Sequence, residues 1–99
     1  MSYGRRRTKT ITETGVVSDA GVPARLIFAE FNSDVAGNNC ILKDGGTGGT
    51  AKFTLKSGTR VEAKLGPFDN ETAPVFGTDI YATITGTNPI LNVTYEELA

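Results

Sequence analysis

The 99-residue chain contains no histidine and no tryptophan, with a single cysteine, Cys40, and a single methionine. Without histidine it lacks the one side chain whose ordinary pKa supplies a general base near neutral pH. A lone cysteine forms no internal disulfide, and within the apolar run Cys40-Ile41-Leu42 it offers neither an activated thiol nor a zinc-ligand set. No stretch is apolar for long enough to read as a secretory h-region or a membrane span. Synthesis in a reducing host cytoplasm with no membrane partner is the expectation. Aromatics are also few, at 8%, within a chain that is 38% hydrophobic. That composition suits one domain with a modest core. A domain of this size buries only about two-thirds of its unfolded surface, so association with copies of itself would add stability. A homo-oligomer is expected.

The formal net charge of −1 conceals an asymmetry. Arg5, Arg6, Arg7 and Lys9 hold four of the ten bases within the first ten residues, leaving six bases against all eleven acids in the rest. A basic arm on an acidic body can grip a neighbouring acidic body, an acidic patch on another protein, or nucleic acid; the alternative is a solvated terminus. Residues 2–8 have no apolar periodicity, so residues 1–9 read as an arm and residues 10–99 as one domain. Direct nucleic-acid binding is not expected. The arm has no matching basic stripe on the body, and nothing resembles the paired aromatics of an RNA-binding sheet.

The stretch 79–96 gives the strongest structural pattern. Taken as a β-hairpin around Gly86-Thr87-Asn88-Pro89, it sets Ile84 against Leu91, Ala82 against Val93 and Ile80 against Tyr95. Strand character also begins near Thr10, with a break or bulge at Gly15 and a turn at Asp19-Ala20-Gly21. Residues 22–32 are apolar on both faces, Leu26 and Phe28 on one and Ile27, Ala29 and Phe31 on the other. Their length also permits a helical turn, but the Pro23 start and the Ile27-Phe28 content favour a strand, either central or half of an interface. Ile27, Ala29 and Phe31 are thus a candidate self-association face, with completion of the inner core as the alternative.

Ala51, Phe53 and Leu55 alternate with polar residues, as do Val61, Ala63 and Leu65. The two strands either form a hairpin, which opposes Lys56 to Arg60 and Lys52 to Lys64, or cross between sheets. Residues 66–74 read as a loop with Phe68 tucked beneath it. Helix is nowhere required. Seven or eight short strands separated by turn residues predict an all-β fold, an antiparallel two-sheet sandwich with jelly-roll or immunoglobulin-like connections.

Motifs for chemistry are sparse. The glycine-rich stretch 44–50 lacks the Gly-Lys-Ser/Thr ending and the following helix of a phosphate-binding loop, so it reads as a hairpin loop. Asp69, Glu71 and Asp79 lack the oxygen-ligand spacing of a calcium loop. No segment draws a nucleophile and base together as a nucleophile elbow does. The chain is therefore expected to be no enzyme and to hold no metal or cofactor.

Ile41-Leu42-Lys43-Asp44-Gly45, then Gly48-Gly49-Thr50, then residues 80–87 and Val93-Thr94-Tyr95-Glu96 resemble small auxiliary virion proteins of tailed bacteriophages, the capsid decoration or cement class. The likeness covers residues 15–96 and leaves the arm outside. It implies a β-sandwich on the outer surface of an icosahedral shell, often a trimer, that bridges copies of the major capsid protein and resists internal DNA pressure. On that reading Arg5, Arg6, Arg7 and Lys9 contact acidic groups of the shell or of an adjacent copy. A head–tail connector, tail or fibre-base component draws on the same fold. So does a carbohydrate- or receptor-binding module, for which Tyr81 and Phe68 are the candidate aromatics.

Overall fold

Side chains that alternate between apolar and polar bury one face of a strand, and two such sheets become stable by closing their apolar faces on each other. The computed structural model describes residues 6–32, 39–56, 62–69, 72–86 and 88–98. Among these residues the chain forms β1 (Arg6–Ile11), β2 (Gly15–Val16), β3 (Ala24–Asn32), β4 (Asn39–Asp44), β5 (Thr50–Lys56), β6 (Glu62–Leu65), β7 (Val75–Phe76), β8 (Ile80–Ile84) and β9 (Ile90–Glu97). One sheet has the order β1-β9-β3-β6 with β7 also paired to β3, and the other has the order β2-β8-β4-β5. All pairings are antiparallel.

Of the two connection patterns expected, this order matches the jelly roll. Apart from the β4–β5 hairpin and the short step from β6 to β7, each strand is followed by one in the opposite sheet. Eight strands form the two interleaved Greek keys of that fold, and β7 is an addition beside β3.

The hairpin expected across residues 79–96 is not present. β8 pairs with β2 and β4, while β9 pairs with β1 and β3 in the other sheet. The apolar alternation is real, since Ile80, Ala82, Leu91 and Val93 are fully buried. These side chains meet across the sandwich rather than side by side. Period-two patterning reports which face of a strand is covered and leaves open which strand lies beside it. The same holds for residues 51–65, where β5 and β6 lie in different sheets.

β3 is a strand, at the centre of its sheet, with a register shift between Leu26 and Phe28 opposite Tyr95 and Thr94. The inserted residue, Ile27, reverses the phase. Leu26 before the bulge and Ala29 and Phe31 after it therefore all enter the same core. The self-association face expected at Ile27, Ala29 and Phe31 is thus not a surface. Ala29 and Phe31 are 0% exposed and Ile27 is 6% exposed. The bulge also makes room for the 66–69 loop: the Phe68 amide donates to the Ile27 carbonyl at 2.7 Å. Gly66, at φ +93°, is needed there because a Cβ would stand 2.6 Å from that carbonyl. Phe68 packs against the core from below the loop, as the sequence predicts.

Phe31 is among the largest of the fully buried side chains. Phe31→Ala is expected to cost about 3–5 kcal/mol. The exposed Thr54→Ala on β5 should stay within about 0.5 kcal/mol of the parent, with urea denaturation as the measurement.

Candidate functional site

The basic segment is largely part of the fold. Strand structure begins at Arg6, earlier than the sequence predicts, and β1 pairs with β9 from Arg6 opposite Glu96 to Ile11 opposite Leu91. Arg5 lies outside the described residues. Thr8 and Thr94 hydroxyls meet at 3.1 Å, and the Thr10 hydroxyl donates to the Asn92 side chain. Because side chains alternate along a strand, Arg7 and Lys9 share a side with Tyr95 and Val93, while Arg6 lies on the other with Thr8 and Thr10.

Arg7 and Lys9 close one edge of the sandwich. The Arg7 guanidinium lies 3.5 Å from the Glu97 carboxylate and 3.7 Å from that of Asp19. Glu97 also accepts the Asp19 amide at 3.0 Å. The Lys9 ammonium donates to the Val16 carbonyl on β2, in the opposite sheet, at 3.5 Å. An exposed ion pair contributes little by itself, but Glu97 is buried and would be costly to leave charged without partners. Burial raises the neighbouring Tyr95 phenol above its ordinary pKa, and the Glu97 and Asp19 charges add to that rise.

At the end of the sandwich where β4 meets β5, two aspartates gather backbone amides. The Asp79 carboxylate accepts N–H groups from Gly46 at 3.1 Å, Gly45 at 3.3 Å and Gly21 at 3.0 Å. Asp44 accepts those of Gly77 at 2.9 Å and Thr78 at 2.7 Å. The glycine-rich stretch is thus a hairpin loop whose amides are filled from within by a carboxylate rather than by a phosphate. Burial would raise the Asp44 pKa. The amides of Thr78, Gly77 and Asp79, with the charge of Lys52, outweigh that and hold it below its ordinary value. Asp69 is committed separately, accepting the amide and hydroxyl of Thr72, each at 2.9 Å. Glu71 lies outside the described residues.

No sequence pattern marks these clamps. Asp44 precedes Gly45 and Asp79 lies two residues after Gly77, but their partners lie far away in sequence and meet only in the fold.

The remaining candidates are also occupied. The Tyr81 hydroxyl accepts from Thr47 at 3.0 Å, and Phe68 is against the core. Both rings are half-buried. Burial pushes the Cys40 thiol up to about 12, which keeps it protonated and inert. An open depression of about 390 Å³ is lined by Thr12, Asn88, Pro89 and Ile90, none of them titratable.

No protein-family model matches the chain, and no curated protein shows significant similarity to it.

Removing residues 2–9 should destabilise the protein, contrary to what a detached arm would predict. The loss takes away the β1 pairings from Arg6 to Lys9 and leaves Glu97 without Arg7. A decrease of more than about 2 kcal/mol in unfolding free energy is expected from the lost ladder bonds. Asp44 generates a pH dependence. Its folded pKa lies below the unfolded 3.8, so its stabilisation is complete above that value and is lost as pH falls through the folded value. The urea midpoint should fall between about pH 4 and pH 2, and Asp44→Asn should make that fall shallower.

Proposed function

We propose that the chain is a non-enzymatic structural protein of a tailed-phage virion, a decoration or cement protein that binds the outer surface of the icosahedral shell. It bridges copies of the major capsid protein and acts as a homotrimer. The observation that carries this reading is how the jelly roll uses its polar groups. Asp44 and Asp79 hold the glycine loop and its neighbours, Glu97 holds the terminal strands together, and Asp69 caps its own turn. Groups that an enzyme would aim at a substrate here hold the frame rigid. The jelly roll is common among viral capsid and lectin domains. Between those uses, the occupied Tyr81 hydroxyl and the inward Phe68 favour the first.

The reading has a direct test. Purified protein mixed with assembled heads lacking it should sediment with the heads, saturate at a fixed ratio to capsid subunits, and raise the temperature at which heads release DNA. Protein that stays in the supernatant at saturating concentration, with heads no more heat-resistant, would falsify it.

A further inference from the structure

The two outward faces of the sandwich differ in charge. On the β1-β9-β3-β6 sheet, bases and acids are interleaved. Arg25 lies 3.5 Å from Glu96, and Lys64 lies 3.8 Å from Glu30. On the β2-β8-β4-β5 sheet the outward positions are set by the buried alternation of Cys40, Leu42, Ala82 and Leu55. Ile41 lies between Thr83 and Thr54, Lys43 is opposite Tyr81, and Lys56 is opposite Asn39. Among the described residues these outward positions hold no carboxylate, although the chain has eleven acids to ten bases. Asp44 is paired with Ile80 and turned to the Gly77 and Thr78 amides instead. Lys52, at the register shift between Leu42 and Lys43, has its ammonium 5.8 Å from the buried Phe76 ring and its charge acts on Asp44, so it belongs to that end of the sandwich and not to the outward face.

We propose that the outward face of the β2-β8-β4-β5 sheet is the docking surface, and that its occupant is an acidic protein surface. This rests on the attachment reading above and moves the grip from the basic terminus, much of which is tied down, to the sheet. The central Ile41 gives the contact an apolar anchor, and the exposed Lys56, with Lys43 held toward the 45–49 loop by its bond to the Thr47 carbonyl, selects carboxylates around it. Nucleic acid fits less well. Two lysines neutralise few phosphates, and the one aromatic on the face among the described residues, Tyr81, is half-buried with its hydroxyl engaged.

The test uses full-length protein in co-sedimentation with heads lacking it. Ile41→Glu and Lys56→Glu reverse the chemistry of the face, and Thr54→Glu is a third variant at an exposed position. Thr8→Glu places the same charge on the opposite sheet. Melting temperatures establish that each variant is folded. The expected result is that parent and Thr8→Glu proteins sediment alike while the face variants need about tenfold more protein or greater for equal binding. Equal sedimentation of all folded variants overturns the docking face and leaves the attachment reading standing. A parent protein that does not sediment overturns both. Tight binding of a labelled single-stranded oligonucleotide that Lys56→Glu abolishes would reassign the face to nucleic acid and overturn the proposal.

Discussion

Everything in this fold depends on the apolar sides of two sheets finding each other across a single thin layer. Ile80, Ala82 and Ile84 come from one sheet and Leu91, Val93 and Tyr95 from the other, so the chain changes sheets between Ile84 and Ile90. Once consecutive strands are committed to opposite sheets, each must find its neighbours elsewhere in the sequence. β9 therefore takes β1 and β3, and β8 takes β2 and β4. Such long-range pairing makes loop closure a large entropic cost, which a small core offsets only narrowly.

That constraint explains where the acids are used. A jelly roll must turn its chain sharply at both ends, and turns leave amides without ladder partners. Asp44 and Asp79 bind five such amides between them, drawing the 45–46 turn, the 77–78 turn and Gly21 to one end of the sandwich. Glu97 on β9 performs a similar task beside the Gly21 turn, joining the Asp19 amide to the Arg7 guanidinium. A carboxylate accepts charge-assisted hydrogen bonds, each stronger than one to a neutral oxygen. Few residues thus rigidify many turns.

The class of fold was legible because period-two alternation, punctuated by glycine and proline, has one physical reading. Strand partnership was not, because Ile84 and Leu91 are equally well buried beside each other or across from each other. The fate of Ile27, Ala29 and Phe31 turned on one inserted residue. Without the bulge, Leu26 and Phe31 belong to opposite faces, and only with it do both enter the core. The basic terminus misled for a different reason. Arg6-Arg7-Thr8-Lys9 has no apolar side chain to signal a strand, and its order comes from backbone pairing with β9 and from Thr8 meeting Thr94. An edge strand that contributes almost no core is invisible to any pattern based on burial.

An edge strand rich in arginine, lysine and threonine also has a consequence for association. Two copies of β1 pairing edge to edge with matching faces would set Arg7 against Lys9 or Lys9 against itself, and like charges directly opposite are destabilising. Charged edges are a common guard against such pairing. Self-association of the proposed kind would then avoid this edge and fall to faces or loops. The face of the β1-β9-β3-β6 sheet pairs Arg25 with Glu96 and Lys64 with Glu30 within the chain. On the other sheet, Lys56 is exposed and the Lys43 ammonium donates to the Thr47 carbonyl, so neither has a carboxylate partner there among the described residues. In a molecule with more acids than bases, the described outward positions of that sheet hold no carboxylate, which is the feature the docking proposal accounts for.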